Sequence, residues 1–241
     1  MRVGLLFPGQ MGAAVGSAAR AEVVWASEGR SDATRERAVS FEDAGSLEQL
    51  VGTSDLILSI CPPAIAEDVA EEVFGLGFDG IFVEANAIAP ERVRRIGQLA
   101  PRVVDGAIIA AHGVHLYLVG HEAEAVAALF TDTDVKAIPL DAELGAASAL
   151  KMAFGGWNKI GIALTGQAHA IARAYGVTQW LESEGVPADR LARVVDRAWR
   201  WAPEMDEIAE VCAELELSDA IPRAAGEFYR SVALDLSQEP G

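Results

Sequence analysis

A short glycine-containing segment follows the first apolar run of the chain and resembles a turn that binds phosphate groups. The run Val3 to Phe7 is followed by Pro8-Gly9-Gln10-Met11-Gly12 and then by the helix-favouring letters AAVGSAARA. Gly9 and Gly12 are spaced as the second and third glycines of a GxGxxG loop, which bring the backbone close to a pyrophosphate at a helix N-terminus. Phe7 stands where the first glycine is expected, so a turn without a ligand is the alternative. The segment Phe7 to Gly12 is a candidate cofactor loop.

The second apolar run ends in side chains that suit the ribose of a dinucleotide. The letters EVVWASEGRS place Ser27, Arg30 and Ser31 just after this run. A guanidinium with two hydroxyls can bind a 2′-phosphate through charge-assisted hydrogen bonds. Glu28 is the counter-argument, because an inward carboxylate favours NAD, and Arg30 as a solvated loop charge is the structural alternative. The pattern predicts NADP, with NAD as the less favoured cofactor.

The second half of the chain holds a lysine inside an apolar run. Lys151 is one of three lysines and lies in ASALKMAF. Burial lowers the pKa of a lysine toward the range useful for general acid-base catalysis, whereas a snorkelling side chain keeps its ammonium in water. Helical spacing places Lys151, Gly155 and Asn158 along one stripe, and the pair Gly155-Gly156 indicates close approach of a ligand or another helix. Lys159 is either a second polar group at this cleft or a surface charge.

The elements that must position these residues change character at about residue 141. Before it, short apolar runs alternate with helical segments, which predicts an N-terminal Rossmann-type, doubly wound, mostly parallel α/β sheet over residues 1–141. The predicted strands are Val3–Phe7, Val23–Ala26, Leu56–Ile60, Ile81–Glu84, Val103–Val104, His115–Val119 and Val135–Pro139. Residues 142–241 predict an all-α substrate and dimerisation domain. It would begin with a long helix ending near Gly176, followed by helices at 188–199, 203–215 and 220–233.

Composition excludes several classes of partner. The formal charge of −17 repels nucleic acid and anionic membrane surfaces. Cys61 and Cys212 form no CxxC pair, so neither a disulfide framework nor a thiolate metal site is expected. Pro8 and Gly9 interrupt the first apolar run too early for a secretory signal, and no run is long enough to cross a membrane. We expect a soluble protein of the reducing cytoplasm.

Five segments, in order, resemble the β-hydroxyacid dehydrogenase superfamily, which is related to 6-phosphogluconate dehydrogenase. GLLFPGQMG is similar to its GxxGxGxMG signature, and SDLILSICPPAIAEDVAEEV to its fourth strand and following helix. VEANAIAP is similar to its "vD.sTisP" segment, VVDGAIIAA occupies the place of "DAPVSGG", and LGAASALKMAFGGWNKI resembles its GxGxxxKxxxN helix. The resemblance spans almost the whole chain and implies a nicotinamide-dependent oxidoreductase.

The resemblance also implies roles for single residues. Lys151 matches the catalytic lysine, which acts as a general acid or base on the substrate oxygen. The loop Cys61-Pro62-Pro63 would border the nicotinamide ribose, with Cys61 as a packing residue more than a nucleophile. Asn86 takes the place of the family serine and would bond the nicotinamide or the substrate; a turn resembling a helix N-cap before Pro90 is the alternative.

Two departures from the family pattern concern the substrate. Gly155 stands where the family has asparagine, which leaves Asn158 as the nearby amide that can replace it. The segment from Asp105 to Ala111 lacks the Ser-Gly-Gly that would bind a carboxylate, although Asp105, Ile109 and His112 remain candidate substrate contacts. A small 3-hydroxy acid is therefore disfavoured, and a bulkier or more apolar carbonyl compound is expected.

Three functions remain open at this stage. The first is an NADP-dependent oxidoreductase of a carbonyl/alcohol pair with Lys151 as general acid/base, and the second is a reductase of C=N bonds on the same architecture. The third is a non-catalytic NADP-binding scaffold or sensor. Four of the five tryptophans fall in the helical half, which predicts a homodimer through that half: Trp157, Trp180, Trp199 and Trp201.

Overall fold

The computed structural model describes residues 1–238, which divide into two compact units, 1–151 and 152 onward. The described part of the first unit contains an eight-stranded sheet in the order β3-β2-β1-β4-β5-β6-β7-β8. Neighbouring strands are parallel except for the antiparallel pair β6 and β7. The strands are β1 (Arg2–Leu6), β2 (Glu22–Trp25), β3 (Glu42–Asp43), β4 (Leu56–Ser59), β5 (Ile81–Glu84), β6 (Val103–Ile109), β7 (Val114–Val119) and β8 (Val135–Pro139).

Helices connect the parallel strands and cover both faces of the sheet. Successive residues of one strand enter different apolar clusters: Leu56 and Leu58 belong to one cluster, whereas Ile57 belongs to the other. Such burial on both faces is the reason that these strands are continuous apolar runs. The predicted doubly wound α/β fold is confirmed. The helices of this part are α1 (Gln10–Ala18), α2 (Asp32–Arg37), α3 (Leu47–Thr53), α4 (Ala66–Gly75), α5 (Pro90–Gly97) and α6 (Ala123–Ala128).

The second unit is helical throughout its described residues. It begins inside α7 (Ala146–Ala174), a helix of 29 residues, and continues through α8 (Thr178–Ser183), α9 (Val195–Ala198), α10 (Ala202–Glu214) and α11 (Ala220–Gln238). The boundary at 151/152 lies ten residues after the predicted one at 141/142, since Asp105 of β6 binds the first turn of α7. Within residues 1–238, no helix has the length and apolar composition needed to cross a membrane.

Two elements differ from the sequence prediction. The predicted helix at 188–199 is replaced by two 3-10 turns, Leu191–Arg193 and Trp199–Trp201, with the short α9 between them. The Asp189 carboxylate accepts hydrogen bonds from the backbone N–H groups of the next turn, and such local bonds compete with a regular helix. The charged strand β3 has no apolar signal and was not predicted.

Candidate active site

The turn between β1 and α1 keeps the shape of a glycine loop although Phe7 occupies its first position. Phe7 has φ +57°, in the left-handed region that costs a non-glycine residue about 1 kcal/mol or more. The Gly9 N–H donates to the Phe7 carbonyl over 2.6 Å. A Cβ atom on Gly12 would lie 3.0 Å from the same carbonyl, so glycine lets the helix start close to the turn. The turn therefore has the close backbone approach that the spacing predicted.

A cavity of about 410 Å³ lies at the carboxyl ends of β1, β2 and β4. The chain adds β2 and β3 on one side of β1 and then places β4 on its other side, so the strand order reverses between β1 and β4. Open α/β sheets bind ligands at this switch point. Six predicted cofactor residues line the cavity together with three unpredicted ones. The lining comprises Phe7, Gly9, Arg30, Ser31, Cys61 and Pro62, with Gly29, Thr34 and Ile60.

Arg30 stacks on Phe7 at the edge of this cavity. The guanidinium carbon lies 3.7 Å from the centre of the Phe7 ring, within cation–π range. The Arg30 Nε atom is buried and has no hydrogen-bond partner among residues 1–238. Partial burial lowers the pKa of Arg30, which nevertheless remains far above neutrality. The side chain is thus a partly desolvated cation with unused donor capacity beside the cavity.

Helix α2 supplies polar groups that the sequence reasoning missed. The Ser31 hydroxyl accepts from the Thr34 N–H and caps this helix, and Thr34 lines the cavity. Arg37 donates from Nε to the Pro8 carbonyl over 3.3 Å and from its terminal nitrogen to the Thr34 hydroxyl over 3.2 Å. The signal was present in the letters SDATRER, because Ser31, Thr34 and Arg37 recur every three residues along one side of a helix.

The other predicted cofactor residues lie beside the cavity and outside its lining as far as residues 1–238 show. Ser27 is buried, and its backbone carbonyl accepts from Arg35 over 2.8 Å. Pro63 begins a 3-10 turn whose first carbonyl accepts from Arg92. Of the remaining four, Pro8 lies in the turn before Gly9, and Gln10, Met11 and Gly12 form the start of α1. Their predicted contact with a cofactor stays a prediction.

Asn86 fastens the Cys61 loop to the end of β5. Its Oδ1 accepts from the Cys61 N–H over 2.6 Å, and its Nδ2 donates to the Ser59 hydroxyl over 3.3 Å. The alternative of a helix cap is wrong, because α5 is preceded by Ala89 without a side-chain cap. Since the Asn86 side chain is buried and bonded within this pair of loops, its position gives it a role in loop geometry in place of the predicted direct cofactor contact.

Burial, together with the negative charge of the nearby Glu84, raises the pKa of the Cys61 thiol to about 12. The thiol therefore stays protonated near neutral pH and is a poor nucleophile. This agrees with its interpretation as a packing residue.

Glu84 is a buried carboxyl that the sequence reasoning did not single out. Its Oε1 accepts from the Asn86 N–H over 3.0 Å, whereas Oε2 is buried without a hydrogen-bond partner among the described residues. Desolvation, with a smaller contribution from the charge of Asp105, raises the pKa of Glu84 to about 8. Strand register pairs Glu84 with Ser59 on one side and with Asp105 on the other. This row of polar residues in otherwise apolar strands was the signal that could have identified Glu84.

Asp105 is fully buried and binds the start of α7. Its Oδ2 accepts from the N–H groups of Gly145 and Ala147 at 3.0 and 2.9 Å, and its Oδ1 accepts from the Ser148 hydroxyl at 2.7 Å. Burial raises the pKa of Asp105, while these hydrogen bonds oppose the rise. Asp105 was predicted to bind substrate; its geometry corrects this to a helix-capping role, since both oxygens are already bonded.

Lys151 reaches the end of the strand that was expected to carry substrate contacts. It lies in α7, and its Nζ donates to the carbonyl of Ile108 in β6. The neighbouring Ile109 is buried, whereas His112 is exposed in the turn between β6 and β7. The ammonium is therefore bonded to β6 within the first unit, whereas the snorkelling alternative would leave it in water. Substrate contact by Ile109 or His112 stays a prediction.

The glycine pair of α7 packs against α10 within the second unit. A Cβ atom on Gly155 would lie 2.6 Å from Oε1 of Glu204, and one on Gly156 would lie 3.6 Å from Ile208. Glu204 pairs with Lys159, and both side chains are more than four-fifths buried. Helix packing thus accounts for the glycines, which corrects the prediction of Gly155 as a substrate contact, and Lys159 is not a plain surface charge.

Asn158, the other predicted catalytic residue, also has a partner in the second unit. Its Oδ1 accepts a hydrogen bond from Arg190 over 3.2 Å. This bond occupies the amide oxygen and leaves the catalytic assignment of Asn158 a prediction.

One family model matches part of the helical half of the chain. It is described as a domain of unknown function, DUF1932, and covers residues 172–232. No curated protein matches the chain.

Solved structures resemble the whole chain. The conserved protein MTH1747, described as structurally similar to 3-hydroxyacid dehydrogenases, is 25% identical with a TM-score of 0.73, over 100% of both chains. The 3-hydroxyisobutyrate dehydrogenase of Mycobacterium tuberculosis is 14% identical with a TM-score of 0.72, over 97% of this chain and 94% of that one. A reductive aminase from Aspergillus terreus, solved with NADPH and ethyl-5-oxohexanoate, is 15% identical with a TM-score of 0.59, again over 97% and 94%.

The dehydrogenase and the reductive aminase are 14% and 15% identical to this chain, so their likeness shows the fold. The resemblance seen in the sequence motifs is confirmed for the fold. The chain has the fold shared by 3-hydroxyacid dehydrogenase-like proteins and imine reductases.

Proposed function

We propose that the chain is an NADP-dependent oxidoreductase that transfers hydride between the nicotinamide and a carbonyl/alcohol substrate. The observation that carries this proposal is the cavity at the β1/β4 switch point, which gathers the glycine turn, Arg30 and the Cys61 loop. A pyrophosphate would fit at this turn because a Cβ atom on Gly12 would crowd the Phe7 carbonyl, whereas glycine leaves the backbone open there. The cofactor residues therefore suit a dinucleotide.

Different residues would bind different parts of the cofactor. The Arg30 guanidinium with the hydroxyls of Ser31 and Thr34 would bind the 2′-phosphate, and the turn at Gly9 would bind the pyrophosphate. The Cys61 loop would border the nicotinamide ribose, held in place by Asn86. The nicotinamide, when bound, supplies or accepts the hydride.

Lys151 would act as the general acid/base. Its Nζ is held at the Ile108 carbonyl, beside the predicted substrate segment. In the reductive direction the ammonium would donate a proton to the substrate oxygen, and in the oxidative direction the amine would accept it. The segment Ile109-Ala110-Ala111 offers no side-chain donor, which favours a carbonyl compound with an apolar or bulky substituent over a small 3-hydroxy acid.

The cofactor assignment is tested by binding of NADPH and NADH to the wild type, Arg30→Ala and the matched surface variant Arg20→Ala. Loss of a charge-assisted contact costs about 1.5–3 kcal/mol, so Arg30→Ala should weaken NADPH at least tenfold and change NADH little. Arg20 pairs with Asp132 at the surface, and its replacement should leave both affinities unchanged. Equal losses for both cofactors in Arg30→Ala would reject the NADP assignment, and a wild type that binds neither would reject the proposal.

Reduction of C=N bonds is the second candidate. It is favoured by the whole-chain likeness to the reductive aminase and by the apolar end of β6. A panel of aliphatic and aromatic ketones, 3-keto acids and cyclic imines separates the two reactions. Turnover of imines alone would replace the carbonyl proposal, and stoichiometric NADPH binding without oxidation on any substrate would favour a nucleotide-binding sensor.

We also propose that two copies of the chain pair through their helical units. Three large apolar side chains recur every seven residues on α7 and are strongly exposed: Trp157 at 74%, Leu164 at 67% and Ile171 at 60%. An apolar groove of about 310 Å³ lies beside Leu164, between α7 and α11. Stripes of this size are uncommon on monomers, and a second copy would cover them by a two-fold interface.

Sedimentation equilibrium tests the dimer. Wild type should show twice the chain mass, and Leu164→Glu should shift the equilibrium toward monomer by at least tenfold. Val39→Glu is the matched control, because Val39 is exposed in the first unit. A wild-type mass of one chain at all concentrations would contradict the proposal.

A cytoplasmic location is proposed with it. Cys61 and Cys212 are free thiols in the structure, which suits a reducing compartment. Cell fractionation would test this, and recovery in an oxidising compartment would reject it.

A further inference from the structure

We infer that Phe7 is a positioning residue that sets the preference for NADP by holding the Arg30 guanidinium at the cavity. The inference rests on the proposed 2′-phosphate site and adds Phe7 to the residues that shape it. Phe7 belongs to the turn that faces the pyrophosphate, and Arg30 belongs to the loop after β2. Their stack thus couples two loops that would bind different parts of one cofactor.

The backbone conformation of Phe7 is the first step of the argument. Its φ of +57° lies in the region where glycine has no steric penalty and where a bulky side chain is unfavourable. Glycine at this position would fit the same turn with less strain. An aromatic side chain here therefore needs compensating contacts, and the structure provides two: packing against the apolar cluster that contains Leu6 and Cys61, and the stack on Arg30.

The second step is the effect of the stack on Arg30. This residue follows Gly29, which has φ +67°, in an exposed turn that by itself restrains a long side chain weakly. The 3.7 Å contact orders the guanidinium before a ligand arrives. Ordering in advance reduces the conformational entropy that binding would otherwise cost.

The third step concerns charge. A carboxylate partner would hold Arg30 too, but it would neutralise the cation and occupy its N–H donors. The face of an aromatic ring contacts the flat face of the guanidinium and leaves the donors at its edge for an anion. Among residues 1–238 no carboxylate forms a direct ion pair with Arg30: Glu72 raises its pKa only by longer-range attraction, and its Nε lacks a hydrogen-bond partner. The arrangement suits a phosphate more than a pair of ribose hydroxyls.

Three substitutions of Phe7 test the inference by isothermal titration with NADPH and NADH and by thermal melting. Phe7→Leu keeps an apolar side chain but removes the aromatic face, and it should reduce the NADPH-to-NADH affinity ratio about fivefold to tenfold with NADH changed less than twofold. Phe7→Tyr keeps the stack and should stay within twofold of wild type. Phe7→Gly should lose the same preference, and its melting temperature reports the balance between relieved left-handed strain and lost apolar packing.

The double variant Phe7→Leu/Arg30→Ala completes the test. If Phe7 acts through Arg30, it should show the same affinity ratio as Arg30→Ala alone. A full preference in Phe7→Leu, together with loss of preference in Arg30→Ala, would overturn the inference and leave the proposed function standing. Equal weakening of NADPH and NADH in Phe7→Leu would also overturn it. Retained preference in Arg30→Ala would instead reject the proposed 2′-phosphate site.

Discussion

The carboxyl edge of the sheet has two parts that use polar residues in opposite ways. In the open part, at the ends of β1 and β2, Phe7, Arg30 and Ser31 line a cavity and are half-buried or exposed. In the closed part, where β5 ends beside Asp105 of β6, Glu84, Asn86 and Asp105 are buried. The side chains of the closed part bond to neighbouring loops and to the start of α7. We expect the open part to govern cofactor affinity and the closed part to govern stability and the placement of Lys151.

The difference follows from desolvation. A buried polar group is stabilising only when its partners are built into the fold, so the closed part is rigid and its substitution is costly. An exposed group retains water until a ligand replaces it, so substitutions in the open part alter binding more than folding. Lys151 joins the closed part through Ile108 and is the group whose charge would act on substrate.

The largest expected effect is on turnover in Lys151→Met. Methionine keeps the volume of the side-chain stem and removes the ammonium, so the fold and the NADPH affinity should persist. Turnover should fall about 100-fold or more, which is what a positioned general acid/base contributes and equals about 2.7 kcal/mol. Steady-state hydride transfer, followed by NADPH absorbance on whichever substrate of the carbonyl and imine panel is turned over, measures this.

Lys136→Met is the matched control, since Lys136 is exposed on β8 and its substitution should leave turnover unchanged. Preserved turnover in Lys151→Met would remove this lysine from the mechanism and transfer the proposed role to Lys159 or Asn158. Loss of turnover together with a lower melting temperature would assign the effect to packing.

The next effect in size is on stability in Asp105→Ala. The substitution removes a cap from α7 and leaves buried N–H groups of Gly145 and Ala147 without an acceptor. The free energy of unfolding should fall by about 2 kcal/mol. Urea denaturation measures it, with Asp79→Ala as the exposed control. A loss below about 0.5 kcal/mol would contradict the division of the edge into two parts, because exposed positions show losses of that size.

The elements and the open part were largely predictable from the sequence. Apolar runs and glycine spacing depend on local patterns, so the strands, the turn at Gly9 and the loop of Cys61 could be placed. The closed part was not, because Asp105 meets Gly145 across 40 residues and Glu84 meets Asp105 only through sheet register. The packing of Gly155 against Glu204 likewise arises from tertiary contact. Phe7 was misleading as a sequence signal. It replaces the first glycine of the loop motif and so weakened the match, yet its backbone has the left-handed conformation that glycine favours.

The smallest expected effect, over the single pH unit of the measurement, is a dependence of stability on pH that originates at Glu84. Burial raises the pKa of this carboxyl from its ordinary 4.5 to about 8. The folded state therefore holds a proton that the unfolded state has released between these two values. Stability from this group is complete below about pH 4.5 and declines as the pH rises toward 8, at up to about 1.4 kcal/mol per pH unit for one proton.

Glu84→Gln isolates that contribution because the amide is neutral at every pH and keeps an oxygen for the Asn86 N–H. Urea unfolding at pH 6 and pH 7 should show wild type losing about 1 kcal/mol over this interval, beyond any change in the variant. Asp105→Asn removes the neighbouring charge that raises the pKa of Glu84, and should shift the decline to lower pH. The same slope in wild type and Glu84→Gln would mean that Glu84 is already ionised in the fold. The closed part would then contain an unpaired buried charge at β5, and the contrast with the open part would rest on Asp105 alone.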